Sequence, residues 1–282
     1  SKERTARKTV GKIGKKSKTS ARTVSQVKKA KEQAPDLFDK IMSGDISAKK
    51  AEDEIRRRNT DYADPNKWKQ QHFNVWSAFP VEEFQNKYPG QLPAGLLRNV
   101  LYYTTEPGDT VIDVFGGGGN MGLVCDEMKR TCAAFDIAPK FPNIIQHDAT
   151  KPFPKEFNGI ASLAFLDPPY WKQKKGEYTE LENDLVNLAL PKFYAALVRV
   201  CHNAKRTLKP GGVLVLIIGA SQFDGGYYDH ALEMYAALKD SFTLIQRVTA
   251  AYPTSQYMPP QMNQATEAKT MLNLRTDLLF LT

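Results

Sequence analysis

An apolar strand that runs straight into four consecutive glycines, VIDVFGGGGN at residues 111–120, limits the folds open to this chain more than any other feature. Glycine loses more backbone freedom on folding than any other residue. It is favoured where the chain turns sharply or where backbone amides come close to a ligand. A strand, a glycine turn and a helix in that order open an α/β domain. The rest of the chain fits that reading. Apolar runs predict strands over 110–115, 132–137, 160–166, 213–218, 242–250 and 274–281. Helical patterns predict a helix from the glycine turn to about 130, and others over 187–208 and 229–239. Lys209-Pro210-Gly211-Gly212 reads as the stop of the second of these. The expected class is α/β, with a doubly wound, mostly parallel sheet whose last two strands form an antiparallel hairpin.

The first 60 residues differ in kind. They hold 18 Lys and Arg against 8 Asp and Glu, whereas residues 61–282 hold 21 against 23. The whole basic excess lies in this segment, which is the charge distribution of a polyanion-binding appendage. Its breakers and caps predict a small all-α unit. Thr19 or Ser20 caps a helix over 21–33, Pro35 opens another that ends near Gly44, and Ser47 caps a third over 48–58. On the first helix Val24, Val27 and Ala30 or Lys31 recur at helical spacing. Arg22, Gln26, Lys28 and Lys29 then face outward, where they would contact DNA. Residues 61–86 read as a connector, and Trp68, Phe73 and Trp76 within it are expected to dock on the main domain over 87–282. No apolar run approaches the length of a membrane span. Cys125, Cys132 and Cys201 form no metal-ligand spacing, so no metal site and no disulfide are expected, as in a reducing cytoplasm.

Two groups of residues carry chemistry. Around the glycine turn, Gly116 to Gly119 bring backbone amides close to a ligand. Twenty residues on, Asp136 ends the next strand, where a carboxylate can accept from the two hydroxyls of a ribose. Asp148, after a third strand, can accept from an adenine amino group. Taken alone the turn is ambiguous, because Gly117, Gly119 and Gly122 also satisfy the dinucleotide fingerprint. A phosphate-cradling loop is excluded, since Asn120-Met121 stand where Lys-Ser/Thr would be needed.

The second group, Asp167-Pro168-Pro169-Tyr170, decides between these. It follows an apolar strand, at the edge of the sheet where α/β folds bind ligands. Two prolines stiffen the turn and remove two donors, leaving carbonyls available as acceptors. An exocyclic amine on a base is a poor nucleophile, because its lone pair is delocalised into the ring. Accepting its two hydrogens, on the Asp167 carboxylate and the Pro168 carbonyl, favours a tetrahedral nitrogen able to take a methyl group. Tyr170, with Trp171 beside it, can stack on a base swung out of a duplex.

These residues resemble the amino-directed DNA methyltransferases that modify adenine N6 or cytosine N4. The resemblance covers roughly residues 85–282. DPPY matches in full. DVFGGGGN is similar to the cofactor motif DPFAGSGT, with Val114 for Pro, Gly116 for Ala, Gly118 for Ser and Asn120 for Thr. YPGQLPAGLLRNVLYYTTEPGD is similar to the additional cofactor motif through Tyr88, Pro89, Gln91 and Pro93. The resemblance implies a Rossmann-like methyltransferase sheet and S-adenosylmethionine as cofactor. It places that cofactor among Tyr88, Pro89, Gln91, Pro93, Asp113, Phe115, Gly116, Gly117, Gly118, Gly119, Asn120, Asp136, Ile137 and Asp148. The implied activity is methyl transfer to a flipped base in double-stranded DNA, adenine N6 before cytosine N4. RNA, or a protein glutamine amide, is the alternative substrate, and a non-catalytic DNA binder is a third reading. The family's arrangement places a large target-recognition domain after the catalytic motif, and none is visible in this sequence. Recognition is then left to loops, to residues 1–60 or to a separate specificity partner, with Trp171, Lys172, Lys174 and Lys175 in one candidate loop. The stretch 18–57 also resembles the helix-turn-helix segment of ParB-type partition proteins. That likeness implies a DNA-binding arm, a monomer or homodimer, and a prokaryotic, phage or plasmid setting.

Overall fold

The computed structural model describes residues 20–52, 68, 70–76, 91–171, 185–223, 226–251, 259–267, 269 and 271–282. The chain divides into two compact units, residues 1–67 and 68–282.

In the first unit, α1 (Ala21–Gln33) is capped by Ser20, whose side chain accepts from the Thr23 amide at 3.0 Å. Helix α2 (Pro35–Met42) starts on proline and ends before Gly44, which takes the left-handed conformation at φ 84°. A further helical stretch opens at residue 48 behind Ser47, whose hydroxyl accepts from the Lys50 amide. The small core consists of Ala30, Ala34, Leu37 and Ala51, with Phe38, Ile41 and Ile46 packed against it. This corrects the expected phase of α1. Gln26, predicted to face outward, is 5% exposed, because its amide donates to Glu52 at 2.6 Å and that bond offsets the cost of burial. Lys28 is exposed and pairs with Glu32 one turn on, and Lys29 is half-buried. The Arg22 side chain lies outside the described residues.

The second unit is built on one eight-stranded sheet. Its strands are β1 (Val75–Trp76), β2 (Thr110–Asp113), β3 (Thr131–Asp136), β4 (Ile144–Gln146), β5 (Ala161–Leu166), β6 (Leu208–Gly219), β9 (Leu244–Ala251) and β10 (Arg275–Leu281), in the spatial order β1-β9-β10-β6-β5-β2-β3-β4. Strands β7 (Ser221–Phe223) and β8 (Gly226–Tyr228) form a separate antiparallel pair. All pairings in the large sheet are parallel except those of β10, which runs antiparallel to both β6 and β9. The expected antiparallel ending is therefore present, with β10 inserted between β9 and β6.

The flanking helices are α3 (Ala94–Thr104), α4 (Asn120–Glu127), α5 (Leu190–Lys205), α6 (His230–Leu238) and α7 (Pro259–Glu267). Helix α3 packs with α4, and α5 with α6. The core is continuous from Ile112, Phe135 and Ala164 to Phe193, Leu197, Leu216 and Met234, all fully buried. Lys209-Pro210-Gly211-Gly212 lies inside β6 and does not close a helix. Leu208 pairs with Ala161 and Val213 with Leu163, so these four residues bulge opposite a single position of β5. Trp68 and Trp76 are buried in this unit, Trp68 donating to the Gly95 carbonyl and Trp76 stacking on Tyr103, while Phe73 is exposed. Among the described residues no helix is long and apolar enough to cross a membrane.

Candidate active site

The chain goes from β2 outward through β3 and β4, then returns to place β5 on the other side of β2. The order of the sheet reverses between β2 and β5, and in open α/β sheets the crevice at the carboxyl ends of such a strand pair binds ligands. Both candidate motifs leave the sheet here. Asp113 is the last residue of β2 and pairs with Phe165. Asp167 lies two residues further, just past the end of β5.

The glycine turn is held by its own backbone. The Gly116 amide donates to the Phe135 carbonyl at 2.6 Å, and the Gly119 amide to the Gly116 carbonyl at 2.7 Å. Gly117 and Gly119 take positive φ of 44° and 77°, a region costly for residues with a Cβ. A Cβ on Gly116 would stand 3.1 Å from both Ala134 Cβ and Ile144 Cγ2. Asp136 closes the turn from the tip of β3, its two oxygens accepting from the Gly117 amide at 3.0 Å and the Ala138 amide at 2.9 Å. Each oxygen keeps a second lone pair for a ligand. Ile137 follows it, half-buried. One oxygen of Asp148 accepts from both the amide and the hydroxyl of Thr150, which fixes it after β4. Phe115 is half-buried, as are Gln91 and Pro93, with Pro93 at the N-cap of α3. Tyr88 and Pro89 lie outside the described residues.

The electrostatics of the two strand tips are unusual. Asp113 is 4% exposed, and burial, reinforced by the carboxylate of Asp136, pushes its pKa up to about 7. Burial, with Asp113 adding to it, raises Asp167 well above the carboxylate range. Among the described residues no Lys or Arg forms an ion pair with either one.

Beyond Asp167, Pro168 is buried, and Pro169 and Tyr170 are half-buried. The Tyr170 hydroxyl is hydrogen-bonded to Thr276 Oγ1 at 3.1 Å. Trp171 corrects an expectation. Predicted to contact DNA, it is 5% exposed, donates to the Leu188 carbonyl at 3.0 Å and packs edge-on against Tyr228. Its large apolar surface belongs to the core. Lys172, Lys174 and Lys175 lie outside the described residues. One cluster near this segment has no counterpart in the sequence reading. Fully buried His230 bridges the Tyr194 hydroxyl and Ser221 Oγ, each at 2.8 Å, and its ring lies parallel to Tyr228 and edge-on to Trp171. Burial lowers its pKa to about 4, so the ring is neutral at ordinary pH.

A family model described as DNA methylase, of the N6/N4 type, matches residues 7–147, half of the chain. This chain belongs to the N6/N4 DNA methylase family. Shorter stretches match individual enzymes. A type II methyltransferase, M.XycI of Xanthomonas campestris pv. cyanopsidis, is 32% identical over 68 residues, covering 24% of this chain and 22% of that protein. M.PvuII of Proteus hauseri is 35% identical over 54 residues, covering 19% and 16%. Each match thus spans less than a quarter of the relative's length. The solved structure of TrmN from Thermus thermophilus superposes with a TM-score of 0.45 at 16% identity, over 68% of this chain and 49% of that one.

S-adenosylmethionine is the cofactor of a DNA methylase, and the strand tips can be tested for fit to it. Two features match. Asp113 is a buried carboxylate and Asp167 a half-buried one, neither paired with a cation among the described residues, and the cofactor carries a sulfonium. Asn120 Oδ1, at the start of α4 directly after the glycine turn, is buried without a hydrogen-bond partner and is available to a donor. In this methylase Asp113, Asp167 and Asn120 are thus described residues whose chemistry suits the cofactor.

Proposed function

We propose that the chain transfers a methyl group from S-adenosylmethionine to the exocyclic amino group of a base flipped out of double-stranded DNA, with adenine N6 the acceptor. The observation that carries this reading is the position of Asp167-Pro168-Pro169-Tyr170. It stands at the tip of β5, one strand from the glycine turn, at the switch point of the sheet. The preference for adenine rests on the intact DPPY and its resemblance to the adenine enzymes.

When bound, the cofactor supplies an activated methyl group on a sulfonium that is already a good leaving group. The residues of the chain supply alignment, which can be worth roughly 7–11 kcal/mol of barrier. Asp167 accepts one amino hydrogen on its carboxylate, and the Pro168 carbonyl accepts the other. As the nitrogen forms its new bond it becomes positively charged and sheds a proton. A carboxylate whose basicity is raised by burial is suited to receive it. Asp136 and Asp148 hold the nucleoside half of the cofactor, and Tyr88, Pro89, Gln91 and Pro93 the methionine half. The half-buried Tyr170 ring stacks on the flipped base, a contact worth about 1–3 kcal/mol. The basic N-terminal unit, with Lys28 on its exposed surface, adds attraction to the DNA backbone that does not depend on sequence.

The test is uptake of labelled methyl groups from S-adenosylmethionine into unmethylated duplex DNA, with RNA and protein extract as parallel substrates. Asp167→Ala is expected to lower transfer by about 10²–10⁴-fold while cofactor binding by calorimetry persists. Mass analysis of the hydrolysed product identifies the base. Uptake into RNA or protein but not DNA would overturn the substrate, and full activity in Asp167→Ala would overturn the mechanism.

A further inference from the structure

Among the described residues two contacts hold Tyr170, and both come from one rung of the sheet. Its hydroxyl is hydrogen-bonded to Thr276 Oγ1 at 3.1 Å, and Thr276 is fully buried. Its ring edge rests on Gly219. A Cβ built on that glycine would stand 3.1 Å from Tyr170 Cε2 and 3.6 Å from Cδ2, close enough that the ring would have to give way by a few tenths of an ångström. Thr276 of β10 and Gly219 of β6 are direct cross-strand partners. Just beyond them the Asn273 side-chain Nδ2 donates to the Ala220 carbonyl at 2.9 Å and fixes the end of β6 against the segment leading into β10.

The two contacts constrain different motions. The hydroxyl lies on the long axis of the ring, so its bond to Thr276 sets where the ring points but does not oppose rotation about that axis. The edge contact with Gly219 opposes that rotation. Together they define the plane of the ring. A half-buried aromatic whose plane is already set has less freedom to lose when a base stacks on it.

We infer that Thr276 and Gly219 are positioning residues, which set the plane of Tyr170 before a base arrives. This inference rests on the reading of Tyr170 as the base-stacking residue. It gives the C-terminal antiparallel strand a part in substrate binding, although the strand holds no residue of the two motifs.

The test uses the full chain labelled with 3-fluorotyrosine, in which the ¹⁹F resonance of Tyr170 is identified among the 12 tyrosines by its loss in Tyr170→Phe. A ring held at two points gives separate signals for its two fluorine orientations. Thr276→Val removes the hydroxyl, and Gly219→Ala adds the Cβ. Each is expected to shift these signals, Thr276→Val by changing where the ring points and Gly219→Ala by pushing on its edge. Each is also expected to raise KM for unmethylated genomic DNA by about three- to tenfold, with a smaller change in kcat. Thr276→Ser is expected to restore both signal and KM. S-adenosylhomocysteine binding by calorimetry is expected to stay within about twofold of wild type, which shows that the variants are folded. If the Tyr170 signals in Thr276→Val and Gly219→Ala match those of wild type, the ring is not held as described. If the signals change but KM for DNA does not, the hold has no part in substrate binding. Should the wild-type chain methylate no DNA, the functional reading fails, and the fluorine signals alone still decide whether the ring is held.

Discussion

The buried carboxylate of Asp113 makes a quantitative prediction about stability. Asp113 is 4% exposed, accepts from the Phe115 amide at a long 3.4 Å and has no cation beside it among the described residues. Burial raises it from 3.8 to about 7 in the folded chain. The folded form then binds the proton more tightly than the unfolded form, so stability is lost as pH rises. The loss begins near pH 4 and is complete above pH 7. A difference of about 3 pH units corresponds to about 4 kcal/mol. Asp113→Asn cannot ionise and escapes this loss. The pH curve of the wild-type protein will not show the effect by itself, because His230 acts in the opposite direction. Its imidazole, lowered from 6.5 to about 4, removes stability as pH falls through that window, by about 3 kcal/mol. Between pH 4 and 6.5 the two slopes largely cancel. The difference between variant and wild type isolates Asp113. In urea denaturation at half-unit steps from pH 4.5 to 8.5, that difference is expected to grow by up to about 1.4 kcal/mol per pH unit, reaching about 4 kcal/mol in favour of the variant above pH 7. A difference that is flat with pH, or one that shrinks as pH rises, would show that Asp113 is already ionised in the folded protein. The case for an uncompensated charge at the strand tips would then fail.

Three further substitutions probe the local packing. His230→Phe leaves the Tyr194 and Ser221 hydroxyls without the ring nitrogens they now contact at 2.8 Å. It is expected to cost about 2–5 kcal/mol at pH 7.5 and clearly less at pH 4.5, where the wild-type protein has already lost the His230 contribution; urea melts at the two pH values check this. Gly116→Ala places a Cβ 3.1 Å from Ala134 and Ile144 side chains and 3.2 Å from the Phe135 carbonyl oxygen. It is expected to destabilise by about 1–3 kcal/mol, whereas Gly122→Ala, with no atom within 4 Å, is expected to be neutral or to stabilise α4 by about 0.5–1 kcal/mol. Equal thermal melts for these two alanine variants would refute the packing account of the glycine turn.

The alternation of strands and helices after residue 110 is legible because each central strand is a short apolar run closed by polar or turn residues. What is not legible follows from how contacts form. Val75–Trp76 is too short to show any period, yet it makes an edge strand through parallel pairing with Thr249 and Ala250. The Lys-Pro-Gly-Gly run has the composition of a helix stop, and only its partner strand reveals a bulge. Helical spacing alone puts Gln26 outside. A carboxylate 26 residues away draws it in, and a period count cannot see that partner. Tyr170 and Trp171 are adjacent aromatics with opposite fates, one at the strand tip and one in the core, because Leu188 offers a carbonyl to the indole. His230, Gly219 and Thr276 carry no motif. The hydrogen bonds of His230 and Thr276 named above span 9 to 106 residues, and Gly219 meets a ring 49 residues away, so these roles emerge only from the fold.

The glycine run shows where a motif and its physical meaning separate. As sequence, four glycines call for a ligand to offset their entropic cost. In the structure the turn itself requires three of them, Gly117 and Gly119 for their positive φ and Gly116 for its approach to β3 and β4. That cost is met by the path of the backbone whether or not anything binds. What the turn does not explain is the chemistry around it. Asp113 is buried and Asp167 half-buried with no cation paired to either among the described residues, and Asn120 Oδ1 is buried with no donor. Each is costly in a chain that works alone, since a buried acceptor without a partner costs about 1–3 kcal/mol and an enclosed carboxylate more. A cofactor that brings both a cation and hydrogen-bond donors would relieve all three. The argument for a bound cofactor therefore rests on unmet charge and polarity at the tips of β2 and β5, not on the glycines.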